Sequence, residues 1–579
     1  MLGDRWICDR VTTERFPDYT RGNAADVLAD PVSPLAWTFC WEPGAVLGCR
    51  DGFEQMGIFD ANEYDADFPE TFGLFGGYFY NSLTQARLFG IRSGAGWETV
   101  DATYFDSSSQ AIPPYREQDW HNSPCHQEKL GKTVAWVMST DSVPETELIK
   151  WEAEALRASR PDLAGQSDEQ VLGRAKMLQR HLRTMFAQVV WTSLGASASS
   201  GALAALTGED DPTASVKLIT GIGDVDSADI AAQIFAISRI VRRSDALMAA
   251  FDGDIDTVAE RIEALDDDEA DAFGAAVEQF LYQHGGRGPN EWDVYRPCYE
   301  THPKLLFQAI ERARGAGDDA DPARTVASGG ATRQELITKY RAMFAGDAEA
   351  AGTFEAAVTA SAVFMAARER CKSANIRAHN EVRQCFDEIG RRMVERGHLD
   401  DHKHLYMLTA DELDDFMADP ASFKATVAER AADFELLHDL EPPYVVDGSV
   451  PPLSTWERKN AGQVEAVAAG DTLTGVSGSP GTVTGRACIM LDLSDPSRLE
   501  PGDILIAPQT DPAWTPLFLA AGGVVTNVGA VASHAVIVSR ELGIPCVPSV
   551  ADATRRIPDG AIVTVDGGAG TITIDQLPS

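Results

Sequence analysis

The chain has 579 residues, more than one hydrophobic core usually holds, so two or three domains are expected. Its hydrophobic content of 44% is enough for a sizeable core and argues against global disorder. A net charge of -39 repels nucleic-acid phosphates and anionic membranes, which sets both aside as partners.

The N-terminal "MLGDRWICDRVTTERF" has no long apolar core and does not read as a signal peptide. Residues 1–125 are rich in Gly, Pro and aromatics and are expected to form an irregular α+β part. "PVSPLAWTFCWEPGAVLG" (Pro31 to Gly48) begins with turn signals, and "FGLFGGYFYNS" (Phe72 to Ser82) reads as a buried, glycine-broken segment. The aromatics here could line an apolar pocket or form ordinary core. Residues 126–444 are expected to be mainly helical, because apolar residues recur at three- and four-residue spacing, as in "DIAAQIFAISRIVRRSDALMAAF". Acidic runs such as "DDDEADAF" (Asp266 to Phe273) read as solvated helix faces. "HGGRGPNEWDVYRPCYETHP" (His284 to Pro303) interrupts the helices as a loop. No run of about 18 apolar residues is expected to span a membrane. Nine cysteines without CxxC spacing argue against a disulfide framework or zinc ribbon and fit a reducing cytoplasm.

Residues 445–474 combine prolines with polar and small residues and read as a linker. Residues 475–579 then change texture. "ACIML", "DILIA", "GGVVT", "AIVTV" and "TITID" read as strands, and "AWTPLFLAA" and "HAVIVSREL" as helices of two to three turns. The expected result is a compact α/β domain.

One residue in that domain invites chemistry. Ser533 is a good N-cap for a helix starting at His534, and Gly543 followed by Pro545 is a good stop. His534 would sit in the first turn, where unpaired amides and the helix dipole favour an anion. A neutral imidazole is a usable nucleophile near pH 7. Taken alone, the same pattern also describes a structural histidine beside a helix cap.

Three consecutive motifs decide between these readings. "GVSGSPGTVTGRACIM" (Gly475 to Met490), "GDILIAPQTDPAWTPLF" (Gly502 to Phe518) and "GGVVTNVGAVASHAVIVSRELGIPCV" (Gly522 to Val547) come in order. Together they resemble the swivelling phosphohistidine domain of the phosphoenolpyruvate-utilising enzymes. The resemblance implies that His534 becomes phosphorylated, with Thr526 and Ser533 supporting the phosphate loop. Ala530 and Ala532 depart from the GGxTSHA form common in that family.

The stretch from residue 20 to about 440 resembles the substrate-binding domain of rifampin phosphotransferase-like proteins. It does so through "NAADVLADPVSPLAW", the "RGPxE" loop and an "RExxK" segment beginning at Arg368. Arg368 and Lys372 are four apart and share a helix face, where an anionic phosphoryl group would relieve their repulsion. A solvated basic face pairing with Glu369 is the alternative. Glu291 could accept the acceptor's proton or pair with Arg287. Arg287, His284 and His302 are the remaining substrate-binding candidates in or beside the loop.

An ATP-grasp domain needs roughly 300 residues and finds no room before the substrate region. "GKT" (Gly131 to Thr133) is no phosphate loop, because His126 stands where a glycine is required. The expectation is a cytoplasmic phosphotransferase subunit that binds no metal or ATP itself. A separate ATP-grasp subunit with ATP and Mg²⁺ would charge His534. The resemblance to the histidine-bearing subunit of phenylphosphate or 4-methylphenyl phosphate synthase implies a phenolic acceptor such as p-cresol. Alternatives are an antibiotic or natural-product hydroxyl, or a phosphocarrier with no small-molecule acceptor.

Overall fold

A computed structural model describes residues 3–25, 27–105, 112–211, 213–223, 226–266, 268–318, 321–459, 464, 467–491, 498–510, 514–529 and 533–578. The chain divides into two compact units. The first comprises Met1–Ala198, Trp292–Arg296 and Arg370–Gln463, and the second Ser199–Glu291, Pro297–Glu369 and Val464–Ser579. Two long helices, Asp168–Thr207 and Ala348–Glu395, are each divided between them.

In the first unit β1 (Asp18–Thr20), β2 (Phe72–Phe75), β3 (Tyr78–Ser82) and β4 (Val445–Asp447) form an antiparallel sheet in the order β2-β3-β1-β4. The glycine-broken segment is thus a hairpin. Gly76 and Gly77 both take positive φ, 57° and 77°, which a two-residue hairpin turn requires and glycine supplies without strain. Contrary to the turn signals, Ala36–Val46 is a helix with π-type hydrogen bonding that contains Pro43. The segment is largely apolar, with Thr38 and Glu42 its polar side chains, and so shows little period; burial of Trp37, Phe39 and Trp41 decides its form. These residues join Tyr78, Phe79 and Tyr80 in one core, with Trp41 and Phe79 rings 4.7 Å apart. The N-terminal aromatics are packed as core.

The second unit holds two layers. Helices Asp226–Val241, Asp268–His284 and Lys304–Gly315 enclose a core of Ile230, Ile234, Phe273, Phe280, Leu306 and Ile310. Beside them lies a seven-stranded mixed sheet. Its strands are β5 (Thr472–Thr474), β6 (Thr482–Ile489), β7 (Ile504–Ala507), β8 (Gly523–Thr526), β9 (Cys546–Val547), β10 (Ile562–Asp566) and β11 (Thr571–Gln576). The order is β5-β11-β10-β6-β7-β8-β9. Strands β6 to β9 are parallel. β7 and β8 are buried at every position, as strands covered on both faces must be; β10 alternates, as a one-sided antiparallel strand does.

The expected helices and strands of residues 475–579 are present, with one difference, and the linker before them contributes strands of its own. "AWTPLFLAA" yields only one turn, Thr515–Phe518, because Gly522 returns the chain at once to β8. The stretch 445–474 gives β4 to one sheet and β5 to the other. No unbroken apolar run of about 18 residues occurs, as expected, although by length and composition alone two helices reach a membrane-like mean hydropathy. Windows in helices Asp168–Thr207 and Ala348–Glu395 reach mean hydropathy 1.3, with 28% and 44% of their residues buried, so both helices are long and apolar enough to cross a membrane. Alanine raises the mean there without producing the large apolar runs that catch the eye. All nine cysteines are free thiols, and only Cys125 is exposed.

Candidate active site

Parallel strands deliver loops to one edge of a sheet, and two such loops build this site. β7 leads to Thr510 and to the turn Thr515–Phe518, and β8 leads through Gly529 to the helix His534–Leu542. His534 is the first helical residue, as expected, and Gly543 closes the helix in the left-handed conformation. The imidazole is held on both sides. Nδ1 lies 3.1 Å from Thr510 Oγ1 and Nε2 lies 3.2 Å from Thr515 Oγ1. The edge of the Phe518 ring packs at 5.7 Å between centroids. A hydroxyl can donate or accept, so either ring tautomer is satisfied, and the nitrogen without a proton remains a nucleophile.

Ser533 occupies the N-cap position with extended backbone, yet its hydroxyl accepts no bond from the helix. Ser533 thus holds the expected N-cap position but makes no capping bond. Ser533 Oγ and Thr526 Oγ1 are both buried without a hydrogen-bond partner among the described residues. Each lies 3.2 Å from where a side chain on Gly529 would begin, and Gly529 has φ 155°. A buried hydroxyl left unpaired costs on the order of 1–3 kcal/mol, so two side by side are poised for acceptor oxygens. With the open amides of the first helical turn they form a cradle suited to a phosphoryl group on the histidine. Ala530 and Ala532 lie outside the described residues.

The other candidates fall in several places. Arg287 and Glu291 are brought together as a buried ion pair at 2.8 Å. His284 ends its helix with Nε2 3.2 Å from Asp229. His302 is exposed, with Nδ1 3.0 Å from the Thr301 hydroxyl. Their loop runs directly into Lys304–Gly315, the helix that the Thr515–Phe518 turn touches. Arg368 and Lys372 lie on one long helix, half-buried, but the division between the units falls between them. Arg368 pairs with buried Glu369 at 2.7 Å. Glu369 in turn acts on Glu541 of the histidine helix: burial first, and this neighbouring carboxylate second, push the Glu541 carboxyl up to about 7. Gly131–Thr133 sits in the middle of the helix Pro124–Ser139, which is no setting for a phosphate loop.

Sequence reasoning singled out neither Thr510 nor Thr515. Both stand within one of the three motifs, where two hydroxyls flank an Asp-Pro turn signal, and that was the available clue. It also missed Asn375 and His379, buried in the first unit. Both Asn375 side-chain polar atoms and His379 Nε2 have no hydrogen-bond partner, and Trp292 packs edge-on against the His379 ring at 5.6 Å.

Known proteins place these parts. Residues 499–570 match the family described as the mobile domain of PEP-utilising enzymes, and residues 185–369 the fourth domain of rifampicin phosphotransferase. An uncharacterized protein of Mycobacterium tuberculosis is 34% identical over 367 residues, 62% of this chain and 39% of that protein. Rifampicin phosphotransferase of Streptomyces sviceus is 31% identical over 312 residues, 52% of this chain and 34% of the other. The prodigiosin synthesizing transferase PigC of Serratia marcescens is 28% identical over 386 residues, 62% and 40% of the respective chains. The matches thus span 34–40% of these relatives' own length. With His534 inside the stretch that matches the mobile domain, the chain resembles PEP-utilising enzymes, rifampicin phosphotransferase among them, over the matched residues.

Proposed function

We propose that the chain is a phosphotransferase working through a phosphohistidine at His534. The observation that carries this is the paired set of hydroxyls. Thr510 and Thr515 hold the imidazole, and Thr526 at the end of β8 and Ser533 at the helix N-cap stand unpartnered among the described residues. In the first step a ring nitrogen attacks the phosphorus of a donor. The N–P bond forms as the bond to the donor's leaving oxygen breaks. In the second step an acceptor oxygen attacks the same phosphorus, the N–P bond breaks, and the acceptor's proton passes to a base. Glu291 could take that proton only by competing with its partner Arg287.

The donor in this reading is a separate ATP-grasp protein using ATP and Mg²⁺. The acceptor is a phenolic hydroxyl such as that of p-cresol, which yields an aryl phosphate. A phenol gives up its proton more readily than an alcohol and so asks less of the base. Arg368 and Lys372 would steady the transferring charge. The resemblance to rifampicin phosphotransferases favours a second acceptor class, a hydroxyl on a natural product such as rifampicin.

Reconstitution tests all of this. The chain is mixed with a candidate ATP-grasp protein, labelled ATP and a panel of phenol, p-cresol and rifampicin. We expect an acid-labile adduct that is absent in His534→Ala and chases onto the phenols. Label that appears without the second protein overturns the separate donor. A chase onto rifampicin alone overturns the phenol, and an adduct that no hydroxyl discharges makes the chain a carrier.

A further inference from the structure

The opposite end of the histidine helix borders a cavity of about 470 Å³ within the second unit. Three cations line it, Lys217, Arg324 and Arg540, together with hydroxyls that include Ser328 and Ser479. Among the described residues no carboxylate lines it. In a chain of net charge -39 that is a local reversal of sign.

Arg540 is the least satisfied of the three. Its Nε donates to the Gly478 carbonyl at 3.0 Å, while Nη2 is buried with no hydrogen-bond partner. Burial pushes its guanidinium down to about 10, so it is still a cation at neutral pH. Lys217 has Asp211 at 3.1 Å. Arg324 is exposed and, among the described residues, makes no ion pair. A buried cation without a counter-charge is costly, and a bound anion would remove that cost. The cavity is of the size that takes small organic ligands, roughly 300–1,000 Å³, so an inorganic anion alone would leave much of it unfilled. Val216, Pro480 and Leu542 give part of the wall an apolar character.

We propose that this cavity is a binding site for a phosphate monoester. Arg540 and Arg324 grip the phosphate with Lys217 beside them, and the organic group lies against Val216, Pro480 and Leu542. The site is separate from the phosphoryl-accepting loop. At 1.5 Å per residue, Arg540 is about 9 Å along the helix from His534. Its walls come from two parts of the unit. Ser479 and Arg540 belong to the C-terminal sheet domain, whereas Lys217 and Arg324 belong to the helices Ala214–Leu218 and Pro322–Met343. A bound ester would therefore tie those two parts together.

Calorimetry on the full chain tests the site without any phosphoryl transfer, so its outcome is independent of the reaction proposed for His534. The probes are phenyl phosphate, inorganic phosphate and phenol. We expect saturable binding of phenyl phosphate, weaker binding of phosphate and none of phenol. Loss of one charge-assisted contact in Arg324→Gln should raise Kd about tenfold. Ser328→Leu, which fills the cavity, should raise it at least as much. Both residues are exposed, so folding is not at stake. His534→Ala should leave Kd unchanged. Absence of phenyl phosphate binding, or binding indifferent to both cavity variants, overturns the site. Loss in His534→Ala moves the anion to the histidine loop, and phosphate binding as tightly as its ester overturns the monoester.

Discussion

The two units treat buried charge differently. In the first, buried Arg87 meets Asp101 at 2.7 Å, and buried Arg92 meets Glu63 at 2.6 Å. Fully buried Glu381 is shared by Arg160 at 2.6 Å and Arg174 at 3.1 Å. Even Arg21, distant from a close carboxylate, donates to the carbonyls of Leu28, Phe79 and Ala29. The Arg287–Glu291 loop of the second unit follows this pattern, as do buried Glu369 with Arg368 and buried Asp503 with Arg486. The histidine helix does not. Arg540 has a bare Nη2, Glu541 faces Glu369, and Ser533 and Thr526 have no partners among the described residues. In these first-unit clusters folding alone pairs the buried charges. Around the histidine helix they are left for a ligand, a proton or a phosphoryl group to complete.

The largest effect expected from this contrast is on stability. Glu381→Gln strands Arg160 and Arg174 and should cost about 3–5 kcal/mol, the range for breaking a buried pair from one side. Arg540→Met removes a cation that has no counter-charge. It should change stability by about 1 kcal/mol or less, the worth of its single bond to Gly478. Denaturant unfolding of the two variants measures both, and equal losses would break the contrast.

Next in size is an opposition in pH. Burial lowers His379 in the first unit from 6.5 to about 4. The unfolded chain therefore binds the proton first as pH falls. Stability is full above about 6.5 and declines toward pH 4, by about 3 kcal/mol for this group. Glu541 in the second unit has the opposite sign. Its carboxyl is raised from 4.5 to about 7, so the folded chain keeps a proton that the unfolded chain has released. Stability is full below about 4.5 and declines as pH rises through 7, by roughly 2 kcal/mol once its residual exposure is discounted. His379→Phe should flatten the acid arm of a stability–pH curve and Glu541→Gln the alkaline arm. Arms that survive these substitutions would assign the shifts elsewhere.

How legible all this is in the sequence depends on what each feature rests on. The C-terminal strands could be read because β-branched runs between Gly and Pro are a local signal, and β7 and β8 stand where that signal puts them. His534 and Gly543 could be placed because helix ends have their own chemistry. The helix Ala36–Val46 could not, since its form comes from burial rather than a period. Nor could the Arg540 cavity, whose walls come from segments more than 200 residues apart. Arg368 and Lys372 could be read as helix neighbours from their spacing, which carries no sign of where the chain divides. Both lie on one helix, yet the helix is divided between two units.

The smallest stability effect separates a serine that caps from one that waits. Ser82 in the first unit accepts a hydrogen bond from the Gln85 amide at 3.3 Å, and Ser82→Ala should cost about 1 kcal/mol. Ser533 stands at the same helix position without such a bond. Ser533→Ala should therefore cost less than about 0.5 kcal/mol, since it deletes a buried hydroxyl that is already unpaired. Its effect belongs instead to the phosphorylated state. Loss of one hydrogen bond to a phosphoryl oxygen, about 1 kcal/mol, should shorten the lifetime of label on His534 about fivefold. Melting of both alanine variants, paired with decay of the labelled adduct in Ser533→Ala, reads the two quantities separately. A Ser533→Ala that melts as early as Ser82→Ala while its adduct decays at the wild-type rate would make Ser533 a structural cap and return the phosphoryl cradle to Thr526 and the helix amides.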